Sequence, residues 1–216
     1  MAIDIKLVKI FVEGDGDQVF IRDILKLWYN ITLTKDQLKE VVIICKGYNK
    51  ISNQIDEFKQ LEIGQKREGG KNLIIFDADY TGREEDHGFK NKKKYLDNIM
   101  QELGINFDLF LFPNNQNDGT LETMLESCMN PEHSGIMDCW KNMEICVDGK
   151  GNYTIPADKS KIYVYLECLH GITNKEKDKI KDPNRDFTLD DKWVINCENN
   201  PFLKELKDFF DASLNN

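Results

Sequence analysis

Asp77-Ala78-Asp79 sets two carboxylates one residue apart at the end of an apolar run, Leu73-Ile74-Ile75-Phe76. In extended chain two such side chains point the same way, with Cα atoms about 6.5 Å apart. Like charges that close repel unless a cation lies between them. Beyond the carboxyl end of a buried strand, Asp-x-Asp is therefore a good oxygen site for Mg²⁺. Helix caps and solvated loops use the same residues, so the pair alone leaves both readings open. Two further acids stand in comparable places. Glu13 follows the apolar run 5–12 and opens Glu13-Gly14-Asp15-Gly16-Asp17, whose glycines let backbone approach a ligand. Glu122 lies just beyond the run 107–112, with Glu126 one helical turn further on. If the first and third strands are neighbours, Glu13 converges with the aspartate pair on one pocket.

The elements that must position these acids follow from periodicity. Apolar, β-branched runs at 5–12, 41–45, 72–77 and 107–112 predict strands, most of them buried on both faces. Helical spacing predicts helices over about 18–29, with Asp17 as N-cap, and over 50–63 and 89–103, the last closed by Gly104. Residues 34–40 are polar and fit a short helical turn or a loop. The order β-α-β-α-β-α-β with short links predicts an α/β fold, a parallel four-stranded sheet flanked by helices. The sequence divides into a core over 1–126 and a mainly helical part over 127–216, packed on that core. Helices are expected near 134–145, 159–170 and 199–213; Lys161–Leu169 fits a strand equally well by composition. Residues 147–156 read as a loop or hairpin.

With 216 residues, 40% of them hydrophobic and 31% charged, the chain is expected to be soluble and globular. It has no apolar run long enough to span a bilayer and no signal-peptide pattern at its start, so a cytoplasmic location without membrane contact is expected. Six cysteines without a C-x-x-C pair fit reduced thiols. Cys128, His133, Cys139 and Cys146 match no standard zinc spacing. His87, His133 and His170 share no ligand or triad spacing and receive no role. The formal charge of −9 argues against a non-specific duplex-binding surface. It leaves room for a nucleic-acid enzyme with metal ions and a local basic patch, for which Lys90 with Lys92-Lys93-Lys94 is one candidate. Lys161 and Arg83 are candidates for neutralising a substrate phosphate, although surface charge is the commoner role of such residues.

Val12-Glu13-Gly14, with Asp17 close behind, and Phe76-Asp77-Ala78-Asp79 together resemble the two motifs of the Toprim fold. That fold is shared by topoisomerases, bacterial primases, small ribonucleases and the overcoming-lysogenization-defect nucleases. Phe112-Pro113 followed by Gly119-Thr120-Leu121-Glu122 looks like an uncharacterised bacterial group of Toprim-like proteins. The resemblance covers residues 5–126 and extends through Lys192-Trp193 and the stretch 206–210. It implies metal-dependent phosphoryl transfer on DNA or RNA. Glu13 would handle a proton or hold metal, Asp77 and Asp79 would hold Mg²⁺ (or Mn²⁺), and Glu122 would be a further ligand. No ATPase segment of the overcoming-lysogenization-defect type is present, so the chain is expected to act alone, with a protein partner or as a homo-oligomer.

The expected function is thus a Mg²⁺-dependent Toprim-like nuclease or related enzyme. Two rivals stand beside it: a non-catalytic module that binds metal and nucleic acid or nucleotide, and a signalling-type α/β domain with an acidic pocket. A basic groove beside the acidic pocket favours the enzyme, whereas an acidic face favours the signalling domain.

Overall fold

The computed structural model describes residues 5–60, 70–170 and 173–214. Four parallel strands, β1 (Val8–Val12), β2 (Val42–Ile44), β3 (Lys71–Asp77) and β4 (Asp108–Phe112), form one sheet in the order β2-β1-β3-β4. Val12 stands opposite Ile44 on one side and Ile75 on the other, and Asp77 opposite Phe112. β1 and β3 are neighbours, and the chain leaves them toward opposite edges of the sheet. That makes the gap beyond their carboxyl ends the switch point, where ligands bind in open α/β sheets.

Side chains alternate across the sheet and so divide the core in two. Ile10, Val12, Leu73, Ile75, Phe110 and Phe112 face one side, and Phe11, Ile74, Phe76 and Leu111 face the other; all are fully buried. Both faces being covered explains why the strands read as unbroken apolar runs. The second face is closed by Ile51, Phe58, Ile105 and Leu96, the last from α3 (Phe89–Leu103). Phe58 stacks on Phe11 with ring centroids 3.8 Å apart. The first face is closed by α1 (Asp15–Tyr29), whose Val19, Phe20, Ile24 and Leu25 are buried, and by the helices of the C-terminal part.

The helices that follow β4 are α4 (Leu121–Ser127), α5 (Ser134–Asp148), α6 (Asp158–His170), α7 (Asn174–Asp178) and α8 (Pro201–Leu214). Met124, Trp140, Ile162, Tyr165, Leu203, Leu206 and Phe210 join the same cluster as the strand residues. Asn200 starts α8 by accepting from the backbone N–H groups of Phe202 and Leu203 at 3.0 and 3.2 Å. Lys161–Leu169 is helical despite its β-branched residues, because Ile162, Tyr165 and Leu166 recur at helical spacing on the buried side. Two bonds tie α1 to the segment before α8. The N–H of Phe187 donates to Asp23 Oδ2 at 2.8 Å, and Arg22 Nη2 donates to the Arg185 carbonyl at 3.0 Å.

Smaller expectations need correction. Residue 41 belongs to a helix, α2 (Lys35–Val41), so the second strand is shorter than 41–45. Thr34 and Gln37 form a reciprocal capping box there, with Gln37 N–H donating to Thr34 Oγ1 and Thr34 N–H to Gln37 Oε1. The helix expected over 50–63 opens as a 3-10 turn over Tyr48–Gln54 and is α-helical over 55–60; its last residues lie outside those described. The first expected strand likewise starts later, after a 3-10 turn at Ile5–Leu7. Among the described residues no helix is long and apolar enough to cross a membrane.

Candidate acidic site at the sheet switch point

Glu13 leaves β1 directly into the gap between β1 and β3. Its carboxylate accepts from the backbone N–H of Asp77 (Oε1, 3.0 Å) and from that of Tyr48 (Oε2, 3.2 Å). One side chain therefore bridges the ends of β3 and of the loop after β2. Gly14 then caps α1 in extended conformation, and Asp17 Oδ2 accepts from the Gly14 N–H at 2.8 Å. That bond holds Asp17 at the mouth of the same gap. Asp77 closes β3 and accepts from the Leu121 N–H at 2.8 Å, which ties the start of α4 to the sheet and sets Glu122 beside it.

The electrostatics agree with the hydrogen bonds. Burial raises Asp77 well above the ordinary carboxylate value, and the charges of Asp17, Glu13 and Glu122 raise it further. Asp17 is pushed up to about 8, by burial first and then by Glu13 and Glu122. Glu13 is raised by burial and by Asp79, against the pull of its two backbone donors and of Lys92. Three carboxylates thus share one poorly solvated space and repel one another, and Glu122 adds its charge to Asp17 and Asp77.

Asp79 behaves differently. Its φ of +59° breaks the extended conformation that would align it with Asp77. Its backbone pairs with Gly119 in a short antiparallel bridge, N to O at 2.9 Å both ways. Its carboxylate accepts from Lys92 Nζ at 2.9 Å. Lys92 is fully buried and sits over the Tyr48 ring, 3.0 Å from its centroid. The expected parallel aspartate pair is therefore split: Asp77 faces Asp17 and Glu122, whereas Asp79 holds a lysine beside Glu13. The Lys90–Lys94 patch also needs correction, because Lys92 points inward while Lys90, Lys93 and Lys94 are exposed.

The two candidate phosphate-binding side chains lie elsewhere. Lys161 pairs with Glu126 at 2.8 Å, and Arg83 is exposed over the Tyr80 ring, 4.7 Å from its centroid. Lys159 is the better placed cation. It pairs with Asp182 and also feels Glu122; burial opposes its charge, but these neighbours raise its affinity for the proton. Its helix face, one turn from Tyr163, was the available signal; the spacing Lys159-x-Lys161 alone does not show which lysine turns toward the acids.

A family model described as "Protein of unknown function (DUF3226)" matches residues 8–214. Searches of curated proteins and of solved structures find no match. The matched span holds all four strands, the acidic site and the helices of the C-terminal part, so the chain belongs to the DUF3226 family.

Proposed function

We propose that this chain is a Mg²⁺-dependent phosphoryl-transfer enzyme of Toprim type, a nuclease acting on DNA or RNA. One observation carries the reading: Glu13, Asp17 and Asp77 crowd together at the β1/β3 switch point, desolvated and mutually repelling, with the charge of Glu122 acting on Asp17 and Asp77. Such a donor set fits a hard divalent cation, since oxygen ligands and excess negative charge are what Mg²⁺ takes. Asp77, Asp17 and Glu122 would hold the ion. Bound there, Mg²⁺ (or Mn²⁺) supplies a Lewis acid for a phosphodiester oxygen and a water of lowered pKa.

The chain's own groups do the rest. Glu13 is fixed by two backbone donors and has a raised proton affinity, which suits a general base. Asp79 orients Lys92, and Lys92 in turn limits how far the Glu13 proton affinity rises. Lys159 stands at the rim through Asp182 and offers a cation for a phosphate that displaces that pairing. The exposed Lys90, Lys93 and Lys94 on α3 offer backbone contacts further out.

Cleavage of labelled single- and double-stranded DNA and RNA with Mg²⁺ or Mn²⁺ tests the reading. The expected result is metal-dependent cleavage that falls by at least about a hundredfold in Glu13→Gln and Asp77→Asn, as removal of a general base or a metal ligand should cause. Binding without cleavage in the wild type would favour the non-catalytic module. Absence of metal binding, cleavage and nucleic-acid binding alike would refute both.

A further inference from the structure

A second group of potential ligands lies outside the acidic site, on the loop between β3 and α3. Among the described residues, Glu84, Asp86 and His87 are the grouping whose ligand atoms all lie within 4.8 Å of one another. The imidazole is the unusual member. His87 keeps only 13% of its side chain exposed, and its Nδ1 is buried without a partner. Its Nε2 lies 3.6 Å from Glu84 Oε2 and 3.5 Å from Asp79 Oδ2. Two ligands on one ion with bonds of about 2.1 Å stand roughly 3–3.4 Å apart, so the Glu84–His87 spacing is close to a coordination edge. Asp86 is held in place by Tyr48, whose hydroxyl donates to Oδ1 at 2.9 Å. Glu84 keeps 66% of its side chain exposed and is free to close on an ion. A cavity of about 640 Å³, lined by Tyr48, Glu84, Asp86 and Tyr95, opens beside the two carboxylates and gives an ion a way to them.

We infer that Glu84, Asp86 and His87 form a binding site for a divalent first-row transition ion, separate from the carboxylates at the switch point. An imidazole nitrogen with two carboxylates suits such ions, whereas an all-oxygen set suits Mg²⁺. The site reaches the acidic centre through one residue, since Asp79 lies between His87 and Lys92. An ion held by Nε2 would draw His87 away from Asp79 and leave Asp79 to Lys92 alone.

The test uses the full chain and Mn²⁺, a probe that avoids the exposed thiols of Cys139, Cys146 and Cys168 better than a softer ion. Only His87, His133 and His170 contribute imidazole signals. In the Asp77→Asn background, which keeps the acceptor for Leu121 N–H but weakens the switch-point site, substoichiometric Mn²⁺ should broaden the His87 signals before those of His133 and His170. Glu84→Gln, a change at an exposed position, should weaken that effect by about tenfold or more, as loss of a ligand does. Both variants are checked for an unchanged circular-dichroism spectrum. Broadening that disappears with Asp77→Asn, that strikes all three histidines alike, or that is indifferent to Glu84→Gln would overturn the site. Because the background variant lacks the switch-point ligand, the outcome is independent of the nuclease reading.

Discussion

Asp17→Asn keeps an oxygen for the Gly14 N–H and removes a carboxyl group that must take up a proton when the chain folds. In the metal-free protein this change should stabilise the fold at neutral pH. Asp17 holds its proton up to about pH 8 in the folded chain, against an ordinary value of 3.8. Between those values the folded state binds more protons than the unfolded one, so stability falls as pH rises. The slope for one proton is about 1.4 kcal/mol per pH unit. From pH 5 to pH 7 the wild type should therefore lose about 3 kcal/mol more than the variant. Urea denaturation in EDTA at pH 5, 6 and 7, on wild type and Asp17→Asn in parallel, measures the difference. Mg²⁺ at a hundred times its dissociation constant should return about 2.7 kcal/mol to the wild type and much less to the variant. Parallel pH profiles for the two proteins would refute the picture of a crowded, desolvated carboxylate cluster.

Other perturbations have equally definite outcomes. Lys92→Met removes a fully buried ammonium from Asp79; because Asp79 keeps 21% exposure, the loss should lie at the low end for a broken buried pair, about 3 kcal/mol, read by urea melts. Phe11→Ala deletes the ring stacked on Phe58 in the interior and should cost about 3–5 kcal/mol in the same assay. Gly119→Ala sets a Cβ 2.9 Å from Thr123 Oγ1 and 3.0 Å from Pro113 Cδ at a φ of +144°, so a loss of about 1–3 kcal/mol should accompany weaker Mg²⁺ binding by calorimetry, because the bridge to Asp79 shifts. Lys159→Ala should leave the melting temperature nearly unchanged and lower nucleic-acid affinity, read by fluorescence anisotropy against salt.

The strands were legible because a sheet covered on both faces must be apolar throughout, and the order of elements implied parallel pairing. The adjacency of β1 and β3 was an inference from the acids rather than from any local signal, and it is what brings Glu13 to Asp77. Asp17 was read as the N-cap of α1, but Gly14 holds that place and Asp17 lies in the first turn; its membership of the acidic group was not legible, since it depends on where α1 begins relative to β3. The turn at Asp79 was not legible at all. A non-glycine residue at φ +59° is held by its pairing with Gly119, forty residues away in the chain, and alternation in extended backbone says nothing of that. Lys92 read as part of a local basic patch; the helical period turns it inward while its neighbours stay out. His87 had no partner spacing in sequence, because Asp79 reaches it across a bent loop.

Residues 148–157 are exposed throughout and join α5 to α6, while the helices on either side pack into the same cluster as β1, β3 and β4. A single cut in that stretch would sever the backbone and leave the apolar interior undivided. The two pieces, about 150 and 66 residues long, each carry part of one hydrophobic cluster and should stay associated after a protease has nicked the chain. The acids at the switch point all belong to the larger piece, while Lys159 belongs to the smaller. Reassembly of separately expressed halves would therefore rebuild the rim of the site from two molecules, and the site itself would report on whether the halves had met.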